Sequence, residues 1–121
     1  MIEKISIGIA QINPTVGDFA GNQGKILNKI ESAEKMGLDW IVFPEVALCG
    51  YPVWDLAVRK NFVGEGLRRL REICRRTKGK RVVVMLGYIE PGPKGTNKNY
   101  NALAVVSDGE IIHKQYKMLL P

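Results

Sequence analysis

The sequence predicts an α/β fold with mixed strand directions, and three observations carry that prediction. Ile5, Ile7 and Ile9 alternate with Ser6, Gly8 and Ala10 at strand spacing, after which Ile26, Leu27, Ile30, Ala33 and Met36 recur at helical spacing. The run Arg81-Val82-Val83-Val84-Met85-Leu86-Gly87 has no polar alternation, as expected of a central strand covered on both faces. Asp108-Gly109 between two apolar stretches is a hairpin signal, so a chain that begins β-α-β-α-β should finish on an antiparallel pair.

Each element can be justified in turn. The first strand is expected to run to about Ile12, where the turn-rich Asn13-Pro14-Thr15-Val16-Gly17-Asp18 takes over. The first helix should end at Gly37, a residue suited to the left-handed position beyond a helix C-terminus. The stretch 39–44, Asp-Trp-Ile-Val-Phe-Pro, reads as a short strand stopped by its proline. Beyond the Gly50-Tyr51-Pro52 turn, a helical segment from Asp55 to Phe62 and a basic helix from about Glu65 to Thr77 are expected. A loop at 91–98 leads to a strand from Tyr100 to Val106, the turn at 107–109, and a last strand to Tyr116. No internal repeat or linker is visible, so 121 residues make one domain at most.

Composition excludes several classes of function. Hydrophobic residues at 45% and charged residues at 25% lie in the ordinary globular range. The N-terminus lacks the basic then apolar layout of a secretory signal, and no apolar run approaches the roughly 18 residues of a membrane helix. The chain is therefore expected to be cytoplasmic, with no membrane partner. Much of the net charge of +6 comes from Arg68, Arg69, Arg71, Arg75, Arg76, Lys78, Lys80 and Arg81. Leu67, Leu70, Ile73 and Cys74 recur at helical spacing in the same stretch, so these cations read as the solvated face of an amphipathic helix. No aromatic residue interleaves them, and no nucleic-acid partner is expected. Cys49 and Cys74 lie in no metal-ligand spacing and read as packed free thiols; no metal is expected.

One short stretch carries a chemical question. Phe43-Pro44-Glu45 puts a single carboxylate between an apolar strand and the Gly50-Tyr51-Pro52 turn. Taken alone, Glu45 reads as a solvated strand-end charge and Lys117 as a surface lysine. The segments GIAQINPTVGDFAGN, IVFPEVALCGYPVWDL, NYNALAVVSDGEII and KQYKMLLP change that reading, because they follow one another in this order along the chain. Together they resemble the nitrilase, or carbon–nitrogen hydrolase, superfamily. Within it, AQINPTVGDFAGN and GYPVWDL resemble the N-terminal glutaminase domains of glutamine-dependent NAD synthetases.

The resemblance implies the N-terminal half of a nitrilase-type α-β-β-α four-layer sandwich, a single incomplete glutaminase domain over 1–121. It implies catalytic roles for Glu45 as general base and for Lys117, with a nucleophilic cysteine downstream of the Lys-x-x-Leu-Pro segment and so outside this chain. Tyr51 is expected either to line the substrate cleft or to serve only as a turn tyrosine. Glutamine is the implied substrate. A C-terminal synthetase domain using ATP and magnesium is the implied partner, and this segment itself needs no cofactor. Other carboxamides or nitriles as substrates, or a non-catalytic association module, remain open alternatives. Half a sandwich would leave one sheet face uncovered, so a homo-oligomer or a marginally stable chain is expected.

The chemistry explains the residue types. An amide is a poor electrophile with a poor leaving group, so a thiolate must attack and the departing nitrogen must be protonated. A carboxylate beside the thiol can take its proton and pass it to ammonia. A lysine ammonium near the carbonyl oxygen can stabilise the charge that develops there. His113, within a strand, and Asn99 and Asn101, where a strand begins, are expected to be structural, the asparagines satisfying backbone groups.

Overall fold

The computed structural model describes residues 4–96 and 98–117. In chain order the elements are β1 (Ile7–Ile9), α1 (Phe19–Lys35), β2 (Trp40–Val42), a short 3-10 turn (Trp54–Val58), α2 (Lys60–Arg76), β3 (Val83–Pro91), β4 (Asn99–Ser107) and β5 (Glu110–Tyr116). The five strands form one sheet in sequence order. β1, β2 and β3 are parallel, while β4 and β5 run antiparallel to their neighbours. Among the described residues, no helix is long and apolar enough to cross a membrane.

Local chemistry sets the helix ends. Asp18 caps α1 by accepting the Gly21 N–H at 3.0 Å. Gly37, at φ +69°, turns the chain out of α1, as its sequence position predicts. The α2 terminus is tied to the β4–β5 hairpin: the buried Thr77 hydroxyl accepts from Gly109 N at 2.9 Å, and Asp108 Oδ1 accepts from Gly79 N at 2.8 Å. The turn itself uses positive φ at both Asp108 and Gly109, which matches the twist of the two strands it joins.

Both helices pack on one face of the sheet. Phe19 of α1 meets Phe62 of α2 with ring centroids 5.0 Å apart, and Ile26, Ile30, Leu70 and Ile73 are buried over Ile41, Val84, Leu86 and Val106. Arg69 of α2 reaches Gln23 of α1 at 2.7 Å. The register places Ile7, Trp40 and Val83 in one row of the opposite face, and Ile9, Val42, Met85 and Val105 in the next. Ile7 and Ile9 there are 58% and 76% exposed.

Three local expectations are corrected. β1 ends at Ile9 rather than near Ile12, because after the Ala10 N–H bonds to Val42 O the chain leaves the sheet for the loop at 13–18. The segment after the Gly-Tyr-Pro turn is a 3-10 turn followed by one continuous helix, so Phe62 belongs to α2 rather than to a separate helix. Gly64 and Gly66 are both inside that helix, and Gly66 faces the Phe19 ring of α1, where a Cβ would lie at 3.4 Å. β3 is not covered on both faces along its first residues. Val84 and Leu86 are fully buried under the helices, whereas Val83 and Met85 on the other face are only half-buried.

Candidate active site

Glu45 lies in a turn, residues 45–49, that leaves β2 and folds over β3. Backbone bonds hold this turn closely: Phe43 N to Met85 O at 2.9 Å, Ala47 N to Pro44 O at 3.2 Å, and Gly50 N to Val46 O at 2.9 Å. Val46, a β-branched residue 3% exposed, is held at φ +42°, a conformation that costs energy and persists only when its surroundings enforce it. The turn can sit this low because β3 presents Gly87 beneath it. A Cβ there would come within 2.7 Å of Pro44 O and closer still to Val46 N.

A second support comes from the loop at 13–18. Asn22, fully buried on α1, accepts the Thr15 N–H at 2.8 Å and donates to Thr15 O at 2.8 Å and to Leu48 O at 3.1 Å. Gly17 N adds a bond to Cys49 O at 2.9 Å. The loop and the Glu45 turn are thus clamped as one unit through a side chain whose polar atoms are all engaged.

Lys117 enters from β5. Its Nζ donates to Glu45 Oε1 at 2.9 Å, across 72 residues of sequence. Asn101 of β4 donates its side-chain amide to the same oxygen. Lys117 stands opposite Asn101, with its N–H on the Asn101 carbonyl at 2.9 Å. The Lys117 hydrogen bond leads in holding the Glu45 carboxyl below its ordinary 4.5; burial opposes the shift and the Asn101 hydrogen bond assists it. Both charged side chains remain nearly half exposed, at 45% and 46%, so the carboxylate is oriented and still open to a reactant. The cleft around them is about 260 Å³, lined among others by Phe43, Glu45, Gly87, Asn101, Leu103 and Lys117.

The structure brings Glu45 and Lys117 together as a contact pair. It does not bring Tyr51 to them: that ring is 67% exposed and does not line the cleft. The expectation for Asn101 is corrected, since its side chain serves Glu45 rather than a backbone group. Asn99 meets its expectation, donating to Ala57 O at 2.6 Å and accepting from Gly92 N at 3.3 Å. His113 lies exposed on β5, 3.4 Å from Gln115. Both cysteines are buried free thiols, and burial pushes Cys49 up to about 11, which makes it a poor nucleophile. Among the described residues, no group of three or more His, Cys, Asp and Glu side chains is placed to share a metal ion.

Residues 6–121 match the carbon-nitrogen hydrolase family. The chain belongs to that family. As a carbon–nitrogen hydrolase it is 39% identical over 120 residues to the glutamine-dependent NAD(+) synthetase of Thermotoga maritima, with 99% of this chain and 20% of the relative covered. The Aquifex aeolicus glutamine-dependent NAD(+) synthetase is 38% identical, with 97% and 20% covered. This carbon–nitrogen hydrolase chain therefore spans about a fifth of the length of those curated relatives.

Solved structures agree on the fold. A crystal structure of a glutamine-dependent NAD(+) synthetase from Cytophaga hutchinsonii superposes with a TM-score of 0.87 at 26% identity, over 97% of this chain and 19% of that one. A nitrilase-superfamily amidase from Nesterenkonia, at 20% identity, superposes with a TM-score of 0.79 over 97% of this chain and 44% of its own. The helix layer and sheet are thus the N-terminal half of a nitrilase-type α-β-β-α sandwich.

Proposed function

We propose that this carbon–nitrogen hydrolase chain is the first part of a glutamine amidohydrolase domain that supplies ammonia for ATP-dependent synthesis of NAD from deamido-NAD. The observation that carries the reading is the Lys117–Glu45 contact at 2.9 Å, formed at an open cleft by residues far apart in sequence. The relatives above, described as glutamine-dependent NAD(+) synthetases, support the choice of glutamine and of a synthetase as the consumer of ammonia.

In this reading Glu45 takes the proton of a cysteine thiol supplied from outside residues 1–121 and returns it to the departing nitrogen. Lys117 stabilises the oxyanion and keeps Glu45 ionised at neutral pH. Residues 1–121 then make up one incomplete domain. ATP and magnesium belong to the synthetase region, and a cytoplasmic homo-oligomer is the expected setting. Tyr51, exposed in the turn beyond Glu45 and outside the Glu45–Lys117 cleft, keeps the role of a turn tyrosine in this reading.

The test uses the full-length protein with Glu45→Gln and, separately, Lys117→Ala. Glutamine-dependent NAD formation should fall by about a hundredfold or more, the scale of a lost acid–base or oxyanion group, while formation supported by added ammonium salt persists. Equal loss of both activities, or loss of neither, would remove the glutaminase assignment.

A further inference from the structure

Asn101 has no role in the chemistry as far as the motifs of the sequence go, yet its side chain is spent on Glu45. We propose that Asn101 is a positioning residue that, together with Lys117, immobilises one oxygen of the Glu45 carboxylate and so assigns proton transfer to the other. The proposal deepens the glutaminase reading and rests on it.

Two donors from different strands converge on Oε1: Nδ2 of Asn101 on β4 and Nζ of Lys117, which follows β5. Among the described residues Oε2 has no hydrogen-bond donor. An oxygen that already accepts two hydrogen bonds, one from an ammonium, is the less basic of the pair. Oε2 keeps its lone pairs free and is the better proton acceptor. The cycle then balances with one oxygen as carrier: Oε2 takes the thiol proton as sulfur bonds to the amide carbon, and gives it to nitrogen as the C–N bond breaks and ammonia leaves. A water molecule next adds to the thioester carbon, losing a proton to Oε2, and the C–S bond breaks with that proton returning to sulfur.

Asn101 suits this duty better than a second cation would. A neutral amide stays a donor at every working pH and leaves the charge balance of the Glu45–Lys117 pair unchanged. It also keeps Glu45 fixed while Lys117 uses its two other N–H groups on the substrate oxygen. Its own backbone is held in β4 between two strands, paired with Ile89 on one side and bonded to Lys117 N on the other. Sites supported by strand interiors hold geometry more closely than loops do.

The experiment compares Asn101→Ala and Asn101→Asp with the unaltered full-length protein, reading kcat and KM for glutamine-dependent ammonia release against pH. Besides Glu45, the titratable groups lining the cleft are Lys117 and Tyr116; β3 and β4 contribute Gly87, Asn101, Ala102 and Leu103, none of which titrates there. Loss of the amide donor should lower kcat about tenfold or more with KM nearly unchanged, a fraction of a general base's contribution. It should also move the acid limb of the profile to higher pH, because a donor that favours the carboxylate is gone. The isosteric Asn101→Asp should move the limb further, as a second carboxylate opposes ionisation of the first, and it carries the test where the alanine variant does not fold. Variants that lose thermal stability while the acid limb and kcat stay in place would overturn the proposal and leave Asn101 a structural residue. Glu45→Gln with undiminished ammonia release would instead overturn the glutaminase reading itself.

Discussion

Lys117 stands directly opposite Asn101 because β5 carries one extra residue between its pairs with Val106 and Val105. Near the hairpin the pairs are Ser107 with Glu110 and Val106 with Ile111; beyond the irregularity they become Val105 with His113 and Ala102 with Tyr116. Ile112, 58% exposed, is the unpaired extra residue of this bulge. In a regular hairpin Tyr116 would face Asn101, and Lys117 would point to the helix side of the sheet. One residue of slip exchanges the two faces, so the bulge decides which side receives the ammonium.

Inserting one residue between His113 and Lys114 is therefore expected to move Lys117 off the Glu45 face even though Glu45 and Lys117 both remain in the sequence, whereas deleting the unpaired Ile112 should remove the bulge and leave Lys117 opposite Asn101. Cross-strand nuclear Overhauser contacts should link Asn101 to Lys117 before the insertion and to Tyr116 after it, with the proposed glutamine-dependent activity lost. Unchanged contacts would mean that the strand absorbs the insertion in a wider bulge.

Gly87→Ala should raise the Glu45 turn. The added methyl meets Pro44 O at 2.7 Å and, more closely, Val46 N, both of them backbone atoms that cannot swing aside. Overpacking of this kind costs about 1–3 kcal/mol, and thermal denaturation should report it together with a weakening of the glutamine turnover proposed above. A variant with unaltered melting and turnover would mean that the turn has room to shift.

Acid should release the joint between α1 and β3. Glu34 accepts from Arg81 N and Val82 N at 3.0–3.1 Å, and these backbone bonds, the one to Arg81 first, hold its carboxyl below the ordinary 4.5. A folded-state value below the unfolded one means the stabilisation is fully present above 4.5 and is lost as pH falls through the lowered value. Glu34→Ala should cost about 1 kcal/mol at neutral pH, discounted for partial solvent screening, and the difference from the parent should shrink in acid. A pH-independent difference in chemical denaturation would assign the loss to packing.

The uncovered sheet face predicts self-association of the isolated 121-residue chain. Ile7 and Ile9, at 58% and 76% exposure, continue into the half-buried Trp40, Val42, Val83 and Met85. Sedimentation velocity should find oligomers or a broad distribution, with poor melting cooperativity. A monodisperse monomer with a sharp melt would show that the face tolerates water.

The amino-acid sequence by itself determined what depends on near neighbours. Helical spacing from Ile26 to Ala33 marked α1, Gly37 its end, and Asp108-Gly109 the hairpin, because each works through backbone geometry within a few residues. Four motifs in order made Glu45 and Lys117 legible as a pair. The boundary between the 3-10 turn and α2 was hidden by Gly64 and Gly66, whose intrinsic cost in a helix is overridden by packing around Phe19 and Phe62. The apolar run of β3 showed that both faces suit burial and could not show that the helices cover just one. Tertiary structure alone decided that Gly87 admits the Glu45 turn, that Asn22 clamps it to the loop at 13–18, and that Asn101 shares an oxygen with Lys117. Such relations join distant segments. Ile112 resembles Ile111 to any local rule, and only pairing against β4 shows that it is the extra residue by which Lys117 faces the site.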